Sequence, residues 1–281
     1  MLKVITFNAA ILDVRIFGHS FFRPVDYIEQ RLNQLAIALD HSNADIIFLQ
    51  EMFHRDNQDA LCQKLKNSYP YVLGHAPSGW KLRLGNELLI FSRFPLTEGK
   101  LVRFSHAPAE ELRHTSKGFY HLKIDLPVVG ELNLINFHMS AGGKHEHPES
   151  AIMESIREKQ IKQMIDYGRN LDKIILAGDL NAGPEASSDN YEQLLSAGYH
   201  DLFVTAGAEG ISWDPDNPLV KQGTESHLPA QRIDHVFTEK NLFRHLQIND
   251  AKILFTEHEV TTRSDPVTLS DHYAVSVDIS I

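Results

Sequence analysis

Short apolar runs and amphipathic stretches alternate along the whole chain, and most of the runs stop at a polar residue. Residues 2–7 read as a strand ending at Asn8. Pro24 then suits a first helical turn, and Val25, Ile28, Leu32, Leu35, Ala36 and Leu39 recur at helical spacing. Residues 45–49 predict a short apolar strand that delivers Gln50 and Glu51 at its end, and residues 87–92 and 117–126 predict two more. Leu132, Leu134 and Asn136 alternate with Asn133, Ile135 and Phe137, a strand pattern ending at His138. Residues 150–171 form the longest helical candidate, with Ile152, Ile156, Met164 and Ile165 on one side. A buried-type strand at 173–177 runs into Gly178-Asp179-Leu180-Asn181, and strands are expected at 232–237, 251–255 and 272–281. Long loops are expected near 104–116, 139–149 and 206–230; loops of that length inside a compact domain are usually functional. No repeat, low-complexity tract or linker interrupts the pattern, which predicts sheets covered by helices in one domain spanning 1–281.

The polar groups at the strand ends are chemically selective: Asn8, Glu51, His138, Asp179 with Asn181, Asp234, and Asp271 with His272. A strand end is a rigid platform beside a loop, so such side chains can converge on a cleft. Any one Asp or Asn reads equally as a turn residue, but turn chemistry asks for neither Glu nor His after a strand. Together they fit phosphodiester cleavage, where a cation must neutralise the anionic ester before a nucleophile approaches. Glu51 and Asp271, with Asn8, are hard oxygen ligands suited to Mg²⁺, with Mn²⁺ or Co²⁺ as substitutes. Asp234 can orient His272 as a base toward water. Asp179 and Asn181, two apart, share a face and can position that water, while His138 can donate to the phosphate or the leaving oxygen.

Composition narrows the setting. The 281 residues carry 27 Lys and Arg against 37 Asp and Glu, a formal charge of −10. That balance disfavours broad electrostatic nucleic-acid binding, though not a nuclease with a metal-filled cleft. A single cysteine, Cys62, in an expected helix, excludes an internal disulfide and a cysteine zinc site. No apolar run approaches the roughly 18 residues of a membrane span, and the N-terminus reads as a strand, not a leader. The expectation is a soluble protein, cytoplasmic or exported without an ordinary signal peptide.

Six segments, Thr6-Phe7-Asn8, Leu49-Gln50-Glu51, Asn136-Phe137-His138, Gly178-Asp179-Leu180-Asn181, Arg232-Ile233-Asp234-His235 and Ser270-Asp271-His272, occur in an order that resembles the endonuclease/exonuclease/phosphatase superfamily. The resemblance implies an α/β (α+β) fold, a four-layer α-β-β-α sandwich of two mixed sheets like that of pancreatic deoxyribonuclease, and an Mg²⁺-dependent phosphoesterase. Residues 114–119, 212–217 and 260–272 are similar to stretches of the neutral sphingomyelinase branch. That narrower match implies hydrolysis of sphingomyelin or a related phospholipid, possible at a membrane surface, to a ceramide-type lipid and phosphocholine. A nuclease or an inositol-phosphate phosphatase on the same scaffold is the alternative. The membrane-inserting aromatic hairpin of secreted relatives has no clear counterpart, since residues 238–270 hold only Phe243 and Phe255 as aromatics.

Several secondary features stay open at this level. Lys117 is a candidate for neutralising a phosphate oxygen, and Trp213 for a cation–π wall around a choline group or for simple packing. Phe17, Phe21 and Phe22 either face a lipid interface or pack under the next helix. His145 and His147 with Glu146 and Glu149 lack fixed metal-ligand spacing and read as a solvated cluster. Either Glu87 or Asn86 is expected to orient His138.

Overall fold

The computed structural model describes residues 1–12, 14–16, 19–22, 25–74, 86–127, 129–142, 147, 150–221, 226–263 and 265–281, the side chains of 14–16 and 19–22 excepted. Phe17, Phe21 and Phe22, and His145, Glu146 and Glu149, therefore lie wholly or in their side chains outside the described residues. The chain runs β1 (Leu2–Ile11), β2 (Val14–Ile16), β3 (His19–Phe22), α1 (Ile28–His41), β4 (Ile46–Met52), α2 (Arg55–Leu65), β5 (Tyr71–Leu73), β6 (Leu89–Ser92) and β7 (Leu96–Arg103). It continues through α3 (Ala109–His114), β8 (Gly118–Leu126), β9 (Gly130–His138), α4 (Ala151–Gly168), β10 (Ile174–Asp179), α5 (Ser188–Ser196), β11 (Tyr199–Asp201) and α6 (Leu202–Thr205). The last elements are β12 (Asp234–Glu239), α7 (Lys240–Phe243), β13 (Gln247–Leu254) and β14 (Ala274–Ser280).

Two six-stranded sheets result, in the orders β13-β14-β1-β4-β6-β5 and β11-β12-β10-β9-β8-β7. Both are mixed: β1 runs parallel to β4 and antiparallel to β14, and β10 parallel to β9 and antiparallel to β12. The central strands are apolar on both faces because both faces are covered. Val4, Ile46, Phe48 and Ile90 of the first sheet meet Leu122, Leu134, Ile175, Ala177 and Val236 of the second between the layers. On the outside, Ile5, Phe7, Ile47 and Leu49 pack under Leu32, Leu35, Leu61 and Leu65 of α1 and α2. Ile135, Phe137 and Leu176 pack under Ile161, Met164 and Leu194 of α4 and α5. This is the expected four-layer sandwich, and among the described residues no helix is long and apolar enough to cross a membrane.

The differences from the sequence pattern have physical causes. The expected loop at 104–116 contains α3, which buries none of its residues and so shows no apolar period, but carries Glu110 and Glu111 in its first turn and Arg113 and His114 in its last, matching the helix dipole. β1 continues past Asn8 to Ile11 through a register shift against β4. The inward face of α4 is rotated from the one the aliphatic residues suggest. Ile152 is 56% exposed, whereas Arg157 and Gln160 are fully buried beside Met153, Ile161 and Met164. Arg157 and Gln160 face the interior and hold loop backbone, donating to the carbonyls of Ser140, Ala141 and His106.

Close approach also explains one glycine. Gly178 pairs with Phe137 across β9 and β10, and a Cβ placed there would sit 2.0 Å from the Phe137 carbonyl oxygen. Gly178→Ala is expected to lower stability by about 1–3 kcal/mol, read as a lower urea midpoint at unchanged m-value. A midpoint equal to that of the wild type would mean that the two strands part without cost.

Candidate active site

Sheet register lines up three of the site groups. In β10, Asp179 lies opposite His138 of β9 and opposite Asp234 of β12, so the three fall abreast on adjacent strands. On the first sheet Asn8 lies opposite Gln50, one residue before Glu51. A regular strand would send Gln50 and Glu51 to opposite faces. Glu51 instead takes a left-handed backbone, φ 58°, a conformation costing a non-glycine residue roughly 1–3 kcal/mol. Its carboxylate is then within reach of Asn8, whose Nδ2 donates to Glu51 Oε1 at 3.1 Å and to Asp179 Oδ2 at 3.0 Å. One amide thus joins the two sheets at their ends. Asn8 Oδ1 accepts the Ala10 N–H at 3.0 Å, which fixes the amide orientation and leaves one lone pair of that oxygen for a cation. Below it, Gln50 Nε2 donates to Thr6 Oγ1 at 3.1 Å and to Asn136 Oδ1 at 2.8 Å, a second polar bridge between the sheets.

Two buried arginines hold the backbone around these groups. Arg31 of α1 donates to the carbonyls of Ala9, Ala10 and Leu269, tying the turn after Asn8 to the approach to Asp271 and His272. Arg157 of α4 donates to the carbonyls of Ser140 and Ala141, just after His138, and Gln160 donates to Ser140 Oγ at 2.8 Å. Asn181, also left-handed, donates its N–H to Asp179 Oδ1 at 2.8 Å and its side-chain amide to Met139 O at 3.1 Å. A third cation, Arg232, pairs with buried Asp201 at 2.9 Å. Burial would raise the Asp201 pKa, but the hydrogen bond and charge of His235 and the Arg232 guanidinium hold it near 2.

The two histidines differ sharply. His272 Nδ1 lies 2.9 Å from Asp234 Oδ2, and Asp234 is itself fixed by its N–H donating to Ser212 Oγ. Burial opposes a charge on His272, but Asp234 foremost, then Asp179 and Asp271, raise its pKa well above the usual imidazole value. His138 Nδ1 lies 3.1 Å from Glu87 Oε1, off the line of a straight hydrogen bond. Its Nε2 is 3.6 Å from Asp179 Oδ2 and 3.4 Å from Lys117 Nζ. Burial and then the Lys117 charge push its pKa down to about 3, so this ring is neutral at pH 7. Of the two candidates for orienting His138, Glu87 is the one in place; Asn86 Oδ1 accepts the Leu88 N–H and its Nδ2 donates to Ser116 O.

Lys117 lies beside His138, its side chain 9% exposed and steadied by Glu111 of α3 at 3.5 Å. Glu111 gave no signal in sequence, because it lies on the short helix within an expected loop. Trp213 departs from its substrate-binding expectation: it is 4% exposed and packs with Val220, Leu228 and Ile233, leaving no open indole face. Its backbone bridges Gln231 and His272, which makes it a support for the segment that carries His272.

Asp179, Asp234 and His272 place ligand atoms within 4.8 Å of one another. His272 occupies Asp234 Oδ2 but leaves Asp234 Oδ1 buried without a hydrogen-bond partner, so the oxygen donors open to a hard cation are Glu51, Asp271, Asp179 and Asp234 Oδ1, with the Asn8 oxygen. Burial, then the Asp271 charge, pushes the Glu51 pKa up to about 7. Such crowded carboxylates are short of positive charge, and the donor set fits Mg²⁺.

The sequence profile of the endonuclease/exonuclease/phosphatase family matches residues 16–272. Sphingomyelinase C of Bacillus cereus is 24% identical over 317 aligned positions, covering all of this chain and 89% of that protein. Sphingomyelinase C 1 of Leptospira interrogans is 23% identical over 197 positions, 62% of this chain but only 33% of that longer protein. Among solved structures, the beta toxin of Staphylococcus aureus with bound magnesium ions superposes with a TM-score of 0.75 at 20% identity, covering 98% of both chains.

The Glu51 shift carries a sign. A folded pKa of about 7 above the ordinary 4.5 means that metal-free stability is full below pH 4.5 and falls as pH rises through 7. At pH 8 with chelator, Glu51→Gln is expected to be more stable than wild type by about 1–3 kcal/mol, while added Mg²⁺ stabilises the wild type far more than the variant. Thermal unfolding with and without Mg²⁺ measures both, and a variant no more stable than wild type in chelator would remove the repulsion argument.

Proposed function

The chain belongs to the endonuclease/exonuclease/phosphatase family, and from that premise we propose that it is an Mg²⁺-dependent phosphodiesterase acting on sphingomyelin or a related choline phospholipid. The observation that carries the reading is the Asp234–His272 pair, 2.9 Å apart, opening beside Asp179 in the pocket that also holds Glu51. Glu51, Asp271 and Asn8 would hold Mg²⁺, which supplies charge neutralisation of the phosphate and lowers the barrier to attack by an anion-like nucleophile.

The chain's own residues do the proton work. Asp234 keeps the His272 Nδ1–H pointed at itself, so Nε2 faces the pocket, 3.9 Å from Asp179 Oδ2. A water held by Asp179 gives its proton to Nε2 as its oxygen bonds to phosphorus, and the bond from phosphorus to the lipid alkoxide breaks on the opposite side. Positive charge gained at the carboxylates lowers the His272 pKa toward the working range of a base. Lys117 and His138 stand together at 3.4 Å, where they would meet the phosphate oxygens of the substrate. An anion bound there raises the depressed His138 pKa, the condition under which His138 protonates the leaving oxygen.

The choice of lipid rests on the sphingomyelinase relatives and on the net charge of −10, which suits a zwitterionic headgroup better than a polyanion. The fold alone selects no substrate. With Mg²⁺, release of phosphocholine from sphingomyelin micelles is expected to exceed nicking of plasmid DNA, and the reverse ranking would transfer the assignment to a nuclease. His272→Ala is expected to lose about 10²–10⁴-fold in turnover with unchanged circular dichroism. Near-wild-type turnover in that variant would remove His272 as the base.

A further inference from the structure

One histidine of the cluster noted after β9 has a partner that sequence spacing could not reveal. His147 and His227 are 80 residues apart, yet their Nε2 atoms lie 3.3 Å from each other and their rings 5.5 Å apart. Both are exposed, and neither takes part in the catalytic arrangement. Two nitrogens bound to one tetrahedral Zn²⁺ at about 2.0–2.1 Å stand about 3.3–3.4 Å apart, so the pair already has the bite of a chelate. Imidazole pairs select Zn²⁺, Cu²⁺ or Ni²⁺, whereas the carboxylates at Glu51 suit Mg²⁺.

We propose that His147 and His227 form a bidentate site for a transition-metal dication of the Zn²⁺ type, distinct from the Mg²⁺ carboxylates, that ties the loop after β9 to the loop before β12. Both tied segments are rooted in the catalytic row. The first leaves directly from His138, and its Met139 carbonyl accepts the Asn181 amide. The second carries Ser212, which accepts the Asp234 N–H, Trp213, whose backbone bridges to His272, and Asn217, whose Nδ2 donates to Ser270 O at 3.0 Å. A metal at the imidazoles therefore restrains the outer parts of the two segments whose inner ends set His138 and the Asp234–His272 pair.

Calorimetric titration of ZnCl₂ into the full chain at saturating Mg²⁺ tests this. One Zn²⁺ per chain is expected. His147→Ala and His227→Ala should each weaken binding by at least ~10-fold, since even an outer-shell partner is worth that much. Glu51→Gln should retain the Zn²⁺ event, which separates it from occupation of the carboxylate site. Protease cleavage within residues 206–230 should slow with Zn²⁺ in the wild type and stay unchanged in the double histidine variant. Absence of Zn²⁺ uptake would mean that the pair is only a hydrogen bond between imidazoles. Wild-type affinity in both histidine variants, or loss of the event in Glu51→Gln alone, would overturn the site equally.

Discussion

Mutual repulsion of buried carboxylates is the constraint around which this molecule is organised. Asp179 and Asp234 are almost fully buried, and Glu51 and Asp271 stand beside them. Burial first, and the Asp271 charge second, push the Glu51 pKa up to about 7. The chain offsets the repulsion locally with the Asn8 amide between Glu51 and Asp179, with His272 against Asp234, and with Lys117 nearby. What remains is a pocket that still favours a cation, which is the chemical requirement for work on a phosphate ester.

Such a pocket persists only if the backbone carrying it is over-determined, because the carboxylates push against the fold. Register provides the first restraint, since His138, Asp179 and Asp234 cannot separate without breaking β9, β10 and β12. Buried cations provide the second: Arg31 donates to loop carbonyls, Arg157 to the Ser140 and Ala141 carbonyls and to the Asn190 and Ser187 side chains, and Arg232 pairs with Asp201. A guanidinium with its donors spent on backbone oxygens fixes a loop without neutralising the site it serves. The left-handed residues Glu51 and Asn181 show how tightly the ends are held, as neither is glycine.

The same buried environment gives two imidazoles opposite tendencies. His272 is surrounded by carboxylates and holds a proton strongly; His138 is buried against Lys117 and gives one up. Charge brought in by a metal and charge brought in by a phosphate act on these rings in opposite directions, the first lowering His272 and the second raising His138. Under the proposed function, substrate and metal together would bring both rings toward the range where proton transfer is efficient.

Alternation and periodicity in the sequence determined the central strands of both sheets but not β5, β7 or β11, together with the helices α1 and α4 and the positions of Asn8, Glu51, His138, Asp179, Asp234 and His272 at or near strand ends, because burial of apolar side chains imposes a period that can be read one residue at a time. The six motifs carried the sandwich and the family with them. Sequence did not determine what lies across the space between elements: that Glu87 and not Asn86 meets His138, that Glu111 steadies Lys117, that Trp213 is packed away, or that α4 turns Arg157 and Gln160 inward and Ile152 outward. Those outcomes depend on pairing between residues tens to hundreds of positions apart. A polar side chain carries no periodic mark of whether it will face water or a buried carbonyl, so only the tertiary structure decided which it would be.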